Sequence, residues 1–349
     1  ATWPGSLKCV AMKTKLSLVA ALFVGIAASA VVHAATVRIV QTNAAGDSVM
    51  LIDPATNKVV GEIGGIEVNH GAAASPDGSR LYITNEAEST LDVADMKTLK
   101  VIKNIPLTNH PNNVAVSKDG KRVYAAIVAG AGAVDVIDAT SLTRIKSIRT
   151  EGGIHNVYVT PDGKFVVAGS IPGKKVTVID QKTDEILWTV PTRDGVRPMA
   201  FDTNPDGSTK RIFLQLSGFN GFTTIDFATH QLGPEVKVPE LPVAERVTEG
   251  LQGSPAHGLA VTPDGKTLGV LSKMNTRIYF YSLPDLKLLG ESKVGHHPDW
   301  LTFTPDGKRV YVANAGSNSV SVVDVTAHKE LMQIPVGQVP KRNTTLVMP

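Results

Sequence analysis

Histidines recur at matching places in a repeated sequence pattern. Each repeat opens with a short segment, often built around proline, that leads into an alternating apolar run. We call the residue just before the central residue of this segment the first position, and the residue just after it the second position. The two positions lie two residues apart, so their side chains face the same way in an extended segment. The first position holds Val68, His110, Gly153, Arg197, Pro255, His297 and Val339, and the second holds His70, Asn112, His155, Met199, His257, Asp299 and Lys341. Five of the nine histidines therefore share two structural positions.

Three of these histidines are candidates for a metal site. His70, His155 and His257 come from alternate repeats, the second, fourth and sixth, and Asp299 could lie near them. Neutral imidazole suits Zn, Cu, Fe or Ni, so convergence of the three side chains predicts a transition-metal site, with Zn or Cu as candidates.

Two other interpretations of the same residues stay open. One or two of the histidines could ligate a haem iron, with Arg197, Lys341 and Arg342 pairing with its carboxylates. Alternatively, the histidines hydrogen-bond to neighbouring turns around a water-filled channel. We assign His110, Arg197, His297, Asp299, Lys341 and Arg342 as candidate ligand-binding residues.

The elements that position these residues are short strands. P-D-G turns, with Lys118 in place of proline once, end at Gly78, Gly120, Gly163, Gly207, Gly265 and Gly307, at intervals of 42, 43, 44, 58 and 42 residues. Alternating runs rich in Val, Ile, Tyr and Thr flank each turn, which is typical of half-buried strands. Four antiparallel strands every forty-odd residues make a propeller blade.

Counting the runs predicts an all-β, seven-bladed β-propeller of four-stranded antiparallel blades. The run that would form the third strand of a blade occurs seven times. A run that ends in a P-D-G turn, and would form the innermost strand, precedes only six of them. The missing inner strand is NTTLVM at 343–348, which would pair with the N-terminal blade begun by VRIVQT at 37–42. This closure removes free strand edges. Because the innermost strands of a propeller line its central channel, the first and second positions should surround one mouth of that channel.

Two segments carry a family resemblance. LYITN at 81–85 and VYVAN at 310–314, each after P-D-G-[SK]-R, resemble the YVTN family of β-propeller repeats over residues 35–349. The resemblance implies a propeller that binds ligands in the periplasm or at a surface layer. Lactonase-type hydrolases, a streptogramin lyase and the haem d1 propeller of periplasmic nitrite reductases are similar in fold.

A long connection lies in the fourth interval, between Gly207 and Gly265. The excess residues form an insertion at about 233–254, between an outermost strand and the next innermost strand. This connection lies on the same face of the propeller as the histidines at the channel mouth, so it is a candidate lid or binding loop.

The N-terminal segment predicts export. Residues 12–34 combine Lys13 and Lys15 with a long apolar stretch and an A-x-A-like site ending at Ala34, which is typical of a signal peptide. A retained membrane anchor is the alternative. Residues 1–11 precede this segment and are not counted as part of the fold. The propeller is therefore assigned to residues 35–349, after the predicted cleavage site. We expect a periplasmic or secreted protein with no membrane contact after cleavage.

Composition narrows the function classes. A net charge of +3 without basic clusters does not predict nucleic-acid binding, and one cysteine excludes a disulfide framework. We expect an exported protein that binds a small ligand, metal or redox cofactor at the channel mouth, and we do not predict enzymatic activity. A lactonase or lyase using His257 or His155 as its base is one alternative. A cell-surface scaffold whose rim loops bind a protein partner is the other.

Overall fold

The fold is derived from a computed structural model that describes Ala1, Gly5 and residues 35–348. The predicted signal peptide lies outside the described residues. Within the described part of the chain, no helix has both the length and the apolar character needed to cross a membrane.

Seven four-stranded antiparallel sheets confirm the predicted propeller. Blade one contains β1 (Thr36–Asn43), β2 (Val49–Asp53), β3 (Lys58–Ile63) and β28 (Pro340–Met348). Blade two contains β4 (Asn69–Ala74), β5 (Arg80–Asn85), β6 (Thr90–Asp95) and β7 (Lys100–Pro106), and blade three contains β8 (Pro111–Val116), β9 (Arg122–Ile127), β10 (Ala133–Asp138) and β11 (Thr143–Arg149). Blade four contains β12 (Ile154–Val159), β13 (Phe165–Ser170), β14 (Lys175–Asp180) and β15 (Ile186–Pro191). Blade five contains β16 (Val196–Thr203), β17 (Thr209–Leu216), β18 (Gly221–Asp226) and β19 (Val236–Lys237). Blade six contains β20 (Ala256–Val261), β21 (Thr267–Ser272), β22 (Arg277–Ser282) and β23 (Leu288–Lys293), and blade seven contains β24 (Pro298–Phe303), β25 (Arg309–Asn314), β26 (Ser319–Asp324) and β27 (Lys329–Pro335).

The C-terminal strand closes the ring as predicted. β28 is the innermost strand of blade one and pairs antiparallel with β1, in a register that aligns Val40 with Thr344 and Thr36 with Met348. The first blade thus contains both ends of the propeller, and its inner strand carries Lys341 and Arg342 into the channel wall.

Apolar side chains of the two middle strands form the core between neighbouring blades. In blade two, Leu81 and Ile83 pack towards blade one, whereas Tyr82 packs towards Val123 and Ala125 of blade three. Alternate residues of one strand therefore fill the contacts on both of its sides. Tyr82, Tyr124, Tyr279 and Tyr311 are among the largest fully buried side chains.

The arginine that follows several P-D-G turns joins neighbouring blades. It lies at or near the start of the second strand of its blade and donates a hydrogen bond to a backbone oxygen in the turn after the third strand of the next blade. Such bonds run from Arg80 to Ala139 (2.7 Å), Arg122 to Gln181 (2.9 Å), Arg211 to Pro284 (3.2 Å) and Arg309 to Pro54 (2.9 Å). The recurrence of this arginine thus has a structural explanation that does not involve a ligand.

Candidate functional site

A register irregularity occurs near the start of the innermost strand in every blade. The pairing skips one or two residues, which form a β-bulge. A bulge removes its residues from the regular ladder and reorients their side chains. The residues skipped include His70, Asn112, His155, Arg197, His257, Asp299, Lys341 and Arg342. Most of the predicted site residues therefore occupy one special backbone position.

The first position is strained in three blades. Val68, His297 and Val339 have φ values of 49°, 49° and 52°, in the left-handed region. The two valines, with their branched Cβ, rarely adopt it, whereas histidine adopts it more readily. Such conformations cost on the order of 1–3 kcal/mol each and cluster at functional sites. Thirteen other non-glycine residues of the described chain have the same left-handed backbone, most of them in turns elsewhere, so this conformation does not by itself mark a functional site.

Four side chains from four blades meet at the centre of the mouth. The rings of His155 and His257 are in edge-to-face contact with centroids 6.1 Å apart, and the centroid of His257 lies 5.9 Å from that of Trp300. The guanidinium carbon of Arg342 lies 4.0 Å from the Trp300 ring centroid, a cation–π contact. Because these groups touch, a flat macrocycle such as haem would have to lie above the cluster and not between its members.

Arg342 is the most deeply placed cation of this cluster. It is 3 % exposed, and its Nη2 donates to Oδ1 of Asn112 at 2.5 Å. With the Asn156 amide oriented so that its nitrogen faces Nδ1 of His155, its oxygen accepts from Nη1 of Arg342 at 2.8 Å. Burial lowers the pKa of Arg342, yet an arginine side chain remains charged in proteins.

A buried ion-pair cluster surrounds Asp299. Its Oδ1 accepts a hydrogen bond from Nζ of Lys273 at 2.7 Å, and its Oδ2 lies 3.6 Å from Nζ of Lys341. Nδ1 of His257 donates to the backbone oxygen of Asp299 at 2.7 Å. Burial opposes the charged carboxylate, but His257, Lys273 and Lys341 together hold the pKa of Asp299 well below its usual range. Asp299 therefore acts as the counter-ion of this part of the mouth.

A second acidic group, Glu86, lies between two histidines. Its Oε1 is 2.6 Å from Nδ1 of His70, and its Oε2 is 3.5 Å from Nε2 of His110. Pairing with His70 outweighs the effect of burial and lowers the pKa of Glu86. Nε2 of His70 lies 3.4 Å from Nδ2 of Asn112. These partners favour the tautomer with hydrogen on Nδ1, whose Nε2 lone pair faces the Asn112 amide.

A third position, the residue directly after the second strand of each blade, was not among the predicted ones. It holds Glu86, Ser217 and Lys273 in blades two, five and six. Each of the three contacts a predicted residue, because Oγ of Ser217 accepts from Nε of Arg197 at 2.8 Å just as Glu86 pairs with His70 and Lys273 with Asp299. Comparing the repeats at this position would have found all three.

The insertion contacts the rim of the same mouth. It contains β19 and a short 3-10 helix, Val243–Glu245, and Nη2 of Arg197 donates to the backbone oxygen of Gln252 at 2.8 Å. Gly250 lies directly against the ring of His297. The insertion therefore connects the rim residues of blades five and seven, as its predicted place on this face requires.

The three predicted metal ligands are not brought to one point. His155 and His257 adjoin, whereas His70 faces Glu86. Across the described residues, no group of three or more His, Cys, Asp or Glu side chains is arranged to hold a metal ion. Metal binding by these histidines stays a prediction.

Comparisons with known proteins support the fold. Residues 252–340 match the family model described as the choice-of-anchor I domain. Hydrazine synthase from Kuenenia stuttgartiensis is similar, with 25 % identity, a TM-score of 0.70, and coverage of 81 % of this chain and 91 % of the other. The periplasmic gluconolactonase of Pseudomonas aeruginosa has 20 % identity and a TM-score of 0.72 over 90 % of this chain and 100 % of the other. A dihydro-haem d1 dehydrogenase has 15 % identity and a TM-score of 0.63 over 85 % of this chain and 63 % of the other. A comparison with curated protein sequences gives no match. The chain is thus similar to a group of propellers with different functions, and its resemblance to the YVTN family stays a prediction.

Proposed function

We propose that this chain is an exported propeller protein that binds a small molecule at the mouth of its central channel. The observation that carries the proposal is the convergence of bulge residues from several blades on the cluster of His155, His257 and Arg342, with Trp300 beside it. A few polar side chains placed among aromatic rings are typical of small-molecule sites.

The predicted location rests on the signal-peptide pattern at 12–34 and on a protein of similar fold. The word periplasmic is part of the description of the P. aeruginosa gluconolactonase that this chain resembles. Either a periplasmic or a secreted protein agrees with both observations.

Native mass spectrometry of the full-length protein, purified from its native host, tests the binding proposal. We expect a small molecule that leaves on denaturation and that is lost from a His257→Asn variant. His230→Asn is the matched control, because His230 stacks on Trp188 in an outer turn with ring centroids 4.1 Å apart. Equal loss from both variants, or a protein that carries no small molecule and gains no thermal stability from any added metabolite, would contradict the proposal.

A second candidate function is hydrolysis of a lactone, favoured by the contact between Glu86 and His70. The Glu86 carboxylate, 2.6 Å from Nδ1 of His70, favours hydrogen on that nitrogen. When a bound water displaces the amide of Asn112 from Nε2, that nitrogen can accept a proton from the water while the water oxygen bonds to the lactone carbonyl carbon. The ring C–O bond then breaks, and the leaving alkoxide receives that proton from His70. This base differs from His257 and His155, which the sequence suggested.

The hydrolase candidate is tested with glucono-1,5-lactone as substrate. We expect Glu86→Gln to lower kcat roughly 100-fold or more and to shift its pH profile, since Glu86 positions the base. Glu88→Gln is the matched control, because this carboxylate lies two residues further along the same turn. Absence of turnover by the wild-type protein would eliminate this candidate and leave the binding function intact.

A further inference from the structure

Arg342 is a buried cation whose close partners are all neutral. Its guanidinium contacts the amide of Asn112, the amide of Asn156 and the ring of Trp300. Its Nε is buried and has no hydrogen-bond acceptor. Among residues 35–348, no carboxylate oxygen pairs with this guanidinium within 4.0 Å. Proteins seldom bury a charge in this way without a counter-ion.

Lys273 provides an internal comparison. It is equally buried at the same mouth, but its Nζ lies 2.7 Å from Asp299. Asp299 also faces Lys341, and Glu86 faces His70, so both carboxylates of the cluster already have partners. Arg342 thus differs from Lys273, because its charge has no carboxylate partner among the residues that the structure describes.

The charge balance of the mouth favours an anion. Four cationic side chains, Arg197, Lys273, Lys341 and Arg342, accompany three carboxylates, Asp299, Glu86 and Asp194, so the mouth carries a net charge of about +1 when its histidines are neutral. A metal cation between His155 and His257 would lie beside this positive charge. Electrostatics therefore opposes the metal prediction at this cluster.

We propose that Arg342 anchors a small organic carboxylate at this mouth. The inference rests on the proposed binding function and names the class of its ligand. A ligand entering from the mouth displaces one neutral amide, Asn112 or Asn156, and supplies the anion that Arg342 lacks. The planar guanidinium can then donate two parallel hydrogen bonds to the two carboxylate oxygens.

The surroundings of Arg342 favour carboxylate over phosphate. Trp300 covers one face of the guanidinium, so the available donors lie in the guanidinium plane. Both oxygens of a carboxylate fit that plane. A phosphate can accept the same two hydrogen bonds, but its remaining oxygens lie out of that plane, which the Trp300 ring covers on one side. The aromatic rings of His257 and Trp300 instead suit the carbon skeleton of an organic acid.

Isothermal titration of the full-length protein tests this ligand class. The probes are acetate, pyruvate and succinate, with acetamide as the neutral analogue of acetate, and inorganic phosphate and ZnCl₂ as the competing classes. We expect saturable binding of at least one carboxylate and none of acetamide. We expect Arg342→Gln to weaken carboxylate binding roughly tenfold or more, because a charge-assisted bidentate contact is lost.

Two further variants keep the test decisive if Arg342→Gln fails to fold. Lys341→Gln changes a more accessible neighbouring cation and should weaken binding several-fold. Arg80→Gln is the matched control, since its guanidinium binds the backbone oxygen of Ala139 at the blade junction and should leave affinity unchanged. Binding of phosphate or Zn²⁺ in preference to carboxylates, or carboxylate binding that is the same in the Arg342, Lys341 and Arg80 variants, would overturn the carboxylate proposal alone. A co-purified neutral molecule lost from His257→Asn would likewise refute the ligand class and uphold the binding function.

Discussion

An Asp299→Asn variant is expected to unfold with a free energy about 3–5 kcal/mol below that of the wild type. Asparagine preserves the size of the side chain but removes the one carboxylate that pairs with Lys273 among residues 35–348, at 2.7 Å. The side chains of Lys273 and Asp299 are only 4 % and 3 % exposed, so water cannot replace the lost partner. Equilibrium denaturation in urea at neutral pH measures the change.

The control for this prediction is an exposed ion pair. The Lys287–Asp285 pair has a similar composition at 3.8 Å, but its side chains are 77 % and 61 % exposed. Asp285→Asn should therefore change the free energy of unfolding by no more than about 1 kcal/mol. If both variants lose the same small amount, Asp299 is not the essential counter-ion. Adding Lys273→Met to Asp299→Asn should recover stability, because it removes the uncompensated charge.

The fold could be predicted almost completely because each strand leaves a local signal. The run RLYITN became β5 with its bounds unchanged, and the C-terminal run NTTLVM lies within β28. Their β-branched and aromatic residues and the turns that bound them carried both predictions. The expected half-burial is wrong for β5, where five of six residues are buried because neighbouring blades cover both of its faces. The insertion gave no such signal, and its strand β19 is only two residues long.

The site could be predicted only to the level of its backbone positions. Repeat comparison selected Asp299 and His70, but alternation cannot show that a bulge reorients them. Their partners Lys273 and Glu86 lie directly after the second strands, at a position that the comparison of repeats did not include. The sequence also cannot reveal that Arg342 reaches Asn112 on another blade, because that contact spans 230 positions in the chain.

Acidification from pH 7 to pH 5 is expected to destabilise the protein by up to about 4 kcal/mol through two histidines of the channel mouth. Burial, reinforced by the charge of Arg342, holds the pKa of His155 well below its usual range. Burial also holds the pKa of His257 well below that range, although Asp299 partly opposes the shift. Burial lowers the pKa of His70 as well, against the effect of Glu86.

The sign follows from proton binding in the two states. Below about pH 6.5 the unfolded histidines bind protons that the folded ones do not, so stability is fully present above that pH and decreases as the pH falls. A histidine that stays neutral to pH 5 contributes roughly 2 kcal/mol to this loss. The stabilisation from Asp299 and Glu86, whose pKa values are also lowered, is lost only below about pH 4. The two effects therefore occupy separate pH ranges.

Urea denaturation between pH 5 and pH 7 measures this dependence, with variants that identify its source. His155→Gln should remove about half of the slope, because it removes one of the two strongly shifted groups. His230→Gln should leave the slope unchanged, because His230 lies in an outer turn away from the mouth. A pH-independent free energy of unfolding, or equal slopes in both variants, would show that the mouth histidines are not buried as neutral groups. A carboxylate seated on Arg342 should flatten the slope, because its negative charge offsets the cation that disfavours protonation of His155 and His257.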